Sequence, residues 1–158
     1  MQDSNGVFLV AQYGYLDSMT AVIKAGDNIS KCRADAVSPV LIAAYYGYSA
    51  CTMQLISSRC DVNKSRDGGA SPIWTAAEHG HADIIAQLVS AQGDVNKCND
   101  SDESPILVAA RIGHADVVEQ LLAFRAEPRC SHKGSSALDV AIKNGHAECV
   151  RLLKAALR

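Results

Sequence analysis

Ile84, Ile85, Leu88 and Val89 stand at i, i+1, i+4 and i+5, so a helix through them gathers its apolar side chains on one stripe and leaves its opposite face in water. The stripe predicts a helix from about Ala82 to Ser90, with Asp83 in the first turn, where a negative charge complements the helix dipole. Just upstream, Ser71 is a good N-cap and Pro72 suits the first helical position, which predicts a shorter helix from there to about His79. Gly80 separates the two, because glycine accepts the left-handed conformation that a helix C-cap often requires. The stretches that lead from a second helix to the next first helix are rich in Asp, Asn and Gly and read as an extended turn or hairpin.

The pattern returns along the whole chain. Gly14, Gly47, Gly80, Gly113 and Gly145 follow one another at intervals of 33, 33, 33 and 32 residues. Ser38-Pro39, Ser71-Pro72, Ser104-Pro105 and the degenerate Ser136-Ala137 keep the same register, as do Asp61-Val62-Asn63 and Asp94-Val95-Asn96. Three markers in one register predict a stacked solenoid, in which each unit buries its apolar face only against its neighbours. The 158 residues make a single domain, 1–158, of five units at about 1–32, 33–65, 66–98, 99–130 and 131–158. In the first unit Ser18 replaces the inward aliphatic residue and the Ser-Pro start is reduced to Asn5-Gly6; in the last, Lys154 falls where Val89 and Leu122 sit. Both end units therefore read as polar caps, although the abrupt Ala155-Ala156-Leu157 ending keeps a stand-alone protein and an excised domain equally open.

Composition adds that the interior is aliphatic, since 48% of residues are hydrophobic and only 5% aromatic. No window approaches the roughly 18 apolar residues of a membrane helix. Met1 to Val10 lacks the basic stretch of a signal peptide, so a soluble protein of the cytoplasm or nucleus is expected, neither secreted nor inserted in a membrane.

Ser-Pro-Ile-Trp-Thr-Ala-Ala-Glu-His-Gly-His-Ala-Asp-Ile-Ile at 71 to 85, followed by Gly-Asp-Val-Asn at 93 to 96, resembles the ankyrin repeat, and the likeness recurs at 104 to 118 and more loosely at 136 to 150. The resemblance covers essentially the whole chain. It implies an all-α solenoid of stacked antiparallel helix pairs with projecting β-hairpin or turn tips, a binding role and no cofactor. The departures matter as well. The usual Thr-Pro-Leu-His tetrapeptide is never complete, ending instead in Phe8, Leu41, Trp74, Leu107 and Asp139. The glycine that usually ends the second helix is kept at Gly26 but replaced by Arg59, Gln92 and Arg125. If those positions are still left-handed, each is strained by about 1 kcal/mol. The fourth unit is one residue short and carries Pro128 where valine would fall, so its tip should differ in shape.

Candidate chemistry is sparse. Cys51 and Cys149 take the place of Ile84 and Val117, and Cys60 that of Gly93 and Ala126, so all three read as small reduced fillers. Cys32, Cys98 and, nearby, Cys130 recur with the repeat, but packed helices lie about 8–10 Å apart. Equivalent positions should therefore exceed the roughly 7 Å Cα limit for a disulfide. His81, His114 and His146, one packing distance apart, read as structural rather than as metal ligands. Neither a nucleotide motif nor a catalytic constellation is present, and no metal site is expected.

Charge points to a partner. Residues 1–66 carry six Lys/Arg and five Asp/Glu, residues 67–119 two and nine, and residues 120–158 seven and three, for nets of +1, −7 and +4. The acidic middle opposes nucleic acid and favours a protein or peptide with a basic segment, unless the charges merely solvate the outer face. Asp67, Asp100, Asp102 and Glu103 fall at the tips. In ankyrin repeats the partner meets the tips and the two residues before each repeat glycine, which the resemblance puts at Gln12-Tyr13, Tyr45-Tyr46, Glu78-His79, Arg111-Ile112 and Lys143-Asn144. The adjacent Tyr45 and Tyr46 are the principal candidates, being large and apolar with a polar end. One of them could instead pack between units, and Trp74, a turn earlier, is either core between units or a contact. Asn63 and Asn96, each eight residues after a leucine, read as turn-holding amides; their spacing also resembles the sites modified by an intracellular asparaginyl hydroxylase.

The leading reading is a monomeric, non-catalytic protein-interaction module. Against it stand an intramolecular regulatory or targeting domain of a larger protein and, less favoured, an enzyme or small-ligand receptor, which would need a deep cavity between units.

Overall fold

The computed structural model describes residues 6–128, 131–132 and 134–158; the expectations attached to Asn5 and Cys130 lie outside them. Each unit contributes a pair of short helices: α1 Gly6–Tyr13 with α2 Leu16–Lys24, α3 Pro39–Tyr46 with α4 Ser49–Ser57, and α5 Pro72–His79 with α6 Ala82–Ser90. The series continues with α7 Pro105–Ile112 and α8 Ala115–Ala123, then α9 Ala137–Lys143 and α10 Ala147–Ala156. First helices pack in sequence as one row, α1 on α3 on α5 on α7 on α9, and second helices as another, α2 on α4 on α6 on α8 on α10. Each pair is antiparallel because only two residues, or three between α9 and α10, link its helices.

The first helices begin where the sequence requires. Ser38 and Ser71 accept the N–H of Leu41 and Trp74 at 3.3 and 3.1 Å, which satisfies one of the orphan donors of a helix start. Ser136 and Asp139 cap each other, the serine hydroxyl accepting Asp139 N–H while the Asp139 carboxylate accepts Ser136 N–H. Asp139, one of the residues that breaks the tetrapeptide, thereby gains a role, and these bonds from Ser136 hold its carboxyl below the usual range. At the other end Gly47, Gly80 and Gly113 are left-handed, as the helix stop demanded.

The core is aliphatic. Ile84, Ile85 and Leu88 from α6 and Val117, Val118 and Leu121 from α8 have no exposed surface, and Cys51 and Cys149 fill the same position in their own units. Ser18 and Lys154 are exposed. Arg59, Gln92 and Arg125 do adopt left-handed backbone, at φ of 63°, 68° and 61°, where Gly26 has 87°. The turn geometry is thus retained after its glycine has been lost.

The tips are tight turns closed by local backbone bonds, among them Arg33 N–H to Val37 O, Arg66 N–H to Ala70 O and Asn99 N–H to Glu103 O. Adjacent tips are tied by Asp67 N–H to Asp35 O and Asp100 N–H to Gly68 O. The shortened fourth unit leads into a different tip, in which β1 Ser131–His132 pairs antiparallel with β2 Ser135–Ser136, the only strands among the described residues. No described helix is long and apolar enough to cross a membrane.

Candidate partner-binding face

The two residues before each repeat glycine end the first helices, where the helix has begun to leave the core. Tyr45 and Tyr46 are 44% and 45% exposed, Tyr13 57% and Ile112 37%. The two tyrosines meet edge to face with centroids 4.9 Å apart, and both keep open surface, so neither is consumed by packing between units. Tyr45 also lies 4.2 Å from His79 across the unit boundary. Tyr46 stacks on Tyr48 at 5.8 Å and His79 on His81 at 6.4 Å. Tyr48, Tyr46, Tyr45, His79 and His81 therefore form one unbroken chain of rings over the second and third units, while Tyr13 pairs separately with Tyr15.

Two members of that chain, Tyr48 and His81, were not among the expected contacts. They belong to a column, Tyr15, Tyr48, His81, His114 and His146, at the N-cap of every second helix, where none makes a side-chain cap. The histidines reach instead across the boundary. His81 Nε2 donates to Tyr45 O at 3.2 Å, His114 Nε2 to Glu78 O at 3.2 Å and His146 Nε2 to Arg111 O at 3.0 Å. Because a carbonyl only accepts, each ring carries its proton on Nε2. The structural reading of these histidines takes this definite form: each satisfies a carbonyl that the end of the preceding first helix leaves open.

His79 uses its other nitrogen, donating from Nδ1 to Thr75 O at 2.9 Å, with a Glu78 carboxylate oxygen 3.9 Å away. Arg111 does not stand free on the face. Its Nε and Nη2 donate to the Glu103 carboxylate at 2.7 and 3.4 Å, and the Glu103 side chain is only 13% exposed. Glu103 thus departs from the expectation of an open acidic tip, since the guanidinium spans its two oxygens and neutralises it. Asp67, Asp100 and Asp102 remain exposed. Trp74 is 5% exposed, and its ring N–H donates to Glu103 O in the next unit at 2.9 Å. That places the indole between units and leaves it little surface to offer a partner.

The asparagines also work across a boundary rather than within their own turn. Asn63 Nδ2 donates to Gln92 O at 3.1 Å and its Oδ1 accepts Asp94 N–H at 2.8 Å, while Asn96 Oδ1 accepts Glu127 N–H at 2.9 Å. Several thiols are quiet: burial, helped by the Asp61 charge, pushes Cys60 up to about 11, and burial raises Cys51, Cys98 and Cys149 too. A thiol so raised is protonated at neutral pH and a poor nucleophile.

No curated protein matches the chain in sequence. A family model described as ankyrin repeats, three copies, matches residues 7–98 and again residues 85–156. With the period, the helix pairs stacked in order and this match over nearly its whole length, the chain belongs to the ankyrin-repeat family.

Proposed function

We propose that the chain is a non-catalytic module that binds a peptide or folded protein on the concave face built from its first helices. Ankyrin repeats are generally protein–protein interaction modules. The observation that carries the reading here is the exposed ring chain, whose two tyrosines combine a large apolar area with a hydroxyl and little conformational freedom to lose. Those rings sit on the ends of packed helices, so the surface is formed before any partner arrives. Asp67, Asp100 and Asp102 at the tips favour a partner with a basic segment. The protein acts as a monomer in the cytoplasm or nucleus.

Affinity capture followed by mass spectrometry supplies the partner, and the measurement is then its affinity for the Tyr45→Ala/Tyr46→Ala double variant. The expected loss is roughly 2 kcal/mol or more, with the melting temperature little altered. Unchanged affinity, or a drop in stability alone, would assign the rings to packing and defeat the proposal.

A further inference from the structure

Tyr45 and Glu78 occupy the same position in adjacent units, and the next unit places Arg111 there. In an undisturbed row Arg111 would be the natural counterion of Glu78, but its guanidinium is spread over Glu103 instead. Among the described residues, the only basic group within 4 Å of the Glu78 carboxylate is His79, at 3.9 Å, and the Nδ1 proton of that ring is directed to Thr75 O. Glu78 keeps 31% of its side chain exposed. A carboxylate without a close cation thus stands one unit from a half-exposed phenol ring, with His79 in contact with Tyr45 and next to Glu78 in sequence. A basic side chain meets both demands at once, its apolar stem or guanidinium plane lying on the ring and its charge reaching the carboxylate. The exposed acids of the neighbouring tips, Asp67, Asp100 and Asp102, have the same sign and disfavour an acidic segment.

We propose that the second and third units form a seat for one arginine or lysine of an extended partner segment, bounded by Tyr45, Tyr46 and Glu78. The proposal rests on the interaction reading above. It goes beyond it in naming the side chain that is recognised and the carboxylate that recognises it.

A library of random displayed peptides, panned on the wild-type protein and counter-selected on Tyr45→Ala/Tyr46→Ala, tests the seat. Peptides that depend on the tyrosines should be enriched in Arg or Lys at one position. A synthetic peptide from that set should bind Glu78→Gln about tenfold more weakly. Replacing its arginine by uncharged citrulline should cost a similar factor, and the two changes together should cost less than their product, since both remove one contact. Circular dichroism establishes that Glu78→Gln is folded, and Tyr45→Leu, which keeps bulk without the π face, is expected to weaken the same peptide. Tyrosine-dependent peptides without a preferred basic position, or a basic peptide indifferent to Glu78→Gln, would overturn the seat and leave the interaction reading standing. A selection that yields no tyrosine-dependent peptide would overturn both.

Discussion

The ring of His81 lies so close over Gly47 that a Cβ built on the glycine would stand 2.7 Å from Cε1 and 2.9 Å from Nδ1. Gly145 holds the equivalent place in the last unit with similar left-handed backbone, φ 76° against 80°, and has nothing within 4 Å of such a Cβ. The two glycines therefore separate backbone strain from ring contact. Gly145→Ala should destabilise by about 1–2 kcal/mol through left-handed strain alone. Gly47→Ala should cost about 1 kcal/mol more, because the imidazole must move and its bond to Tyr45 O is strained or lost. Urea midpoints of the two variants decide it, and equal shifts would show that the ring yields without penalty.

Asn63 makes two bonds to the following unit and Asn96 one. Asn63→Ala is expected to lower stability by about 1–2 kcal/mol and Asn96→Ala by about 1 kcal/mol. Chemical denaturation reads both. Midpoints indistinguishable from wild type would mean that water replaces the amides at no cost and would bring the modification reading forward.

Arg59, Gln92 and Arg125 hold left-handed backbone with full side chains. Arg59→Gly, Gln92→Gly and Arg125→Gly should each raise stability by up to about 1 kcal/mol, less the entropy that glycine adds to the unfolded chain. These are gains from removing atoms, an unusual direction for a substitution. A lower unfolding midpoint for all three would sink the strain argument.

The tip acids should act on the rate of association. Partner association is expected to slow as salt rises, because screening shortens the reach of exposed charges to about 8 Å at physiological ionic strength. Asp67→Asn/Asp100→Asn/Asp102→Asn should lower the rate and flatten its salt dependence. Glu103→Gln should leave the rate alone and instead lower stability by about 1 kcal/mol, the pair being half in solvent on its arginine side. Stopped-flow association at two salt concentrations separates the variants, and a wild-type rate indifferent to salt would remove the steering role.

The helix boundaries were legible because they are written in local chemistry. Ser-Pro starts and left-handed glycines need no knowledge of the rest of the chain, and the helices Pro72–His79 and Ala82–Ser90 fall where those residues put them. The open tyrosine pair was legible for the same reason, from its place before Gly47. What escaped was contact between elements. Glu103 and Arg111 join a tip to the end of a helix eight residues on, a separation with no periodic signature, so the sequence places the acid at a tip without showing its counterion. The indole of Trp74 could be judged only once the carbonyl of Glu103 was known to lie above it. A signal for the ring column did exist, since Tyr15, Tyr48, His81, His114 and His146 each follow a repeat glycine; the register showed the residues but not the carbonyls they cover.

The contacts at the two boundaries of the third unit run in opposite directions. His81 of the third unit reaches back to a backbone oxygen of the second, whereas Asn63 of the second reaches forward to the backbone of the third. Each of these two junctions is thus a clasp with one half supplied by either neighbour, and the unit of residues 66–98 carries both halves, His81 in the middle and Asn96 near the end. A copy of that unit set beside itself would find its own clasp already complementary, as any head-to-tail contact is. Tandem duplication of the segment coding for that unit therefore lengthens the rod without a new interface having to be invented, and its deletion shortens the rod without leaving an unmatched half.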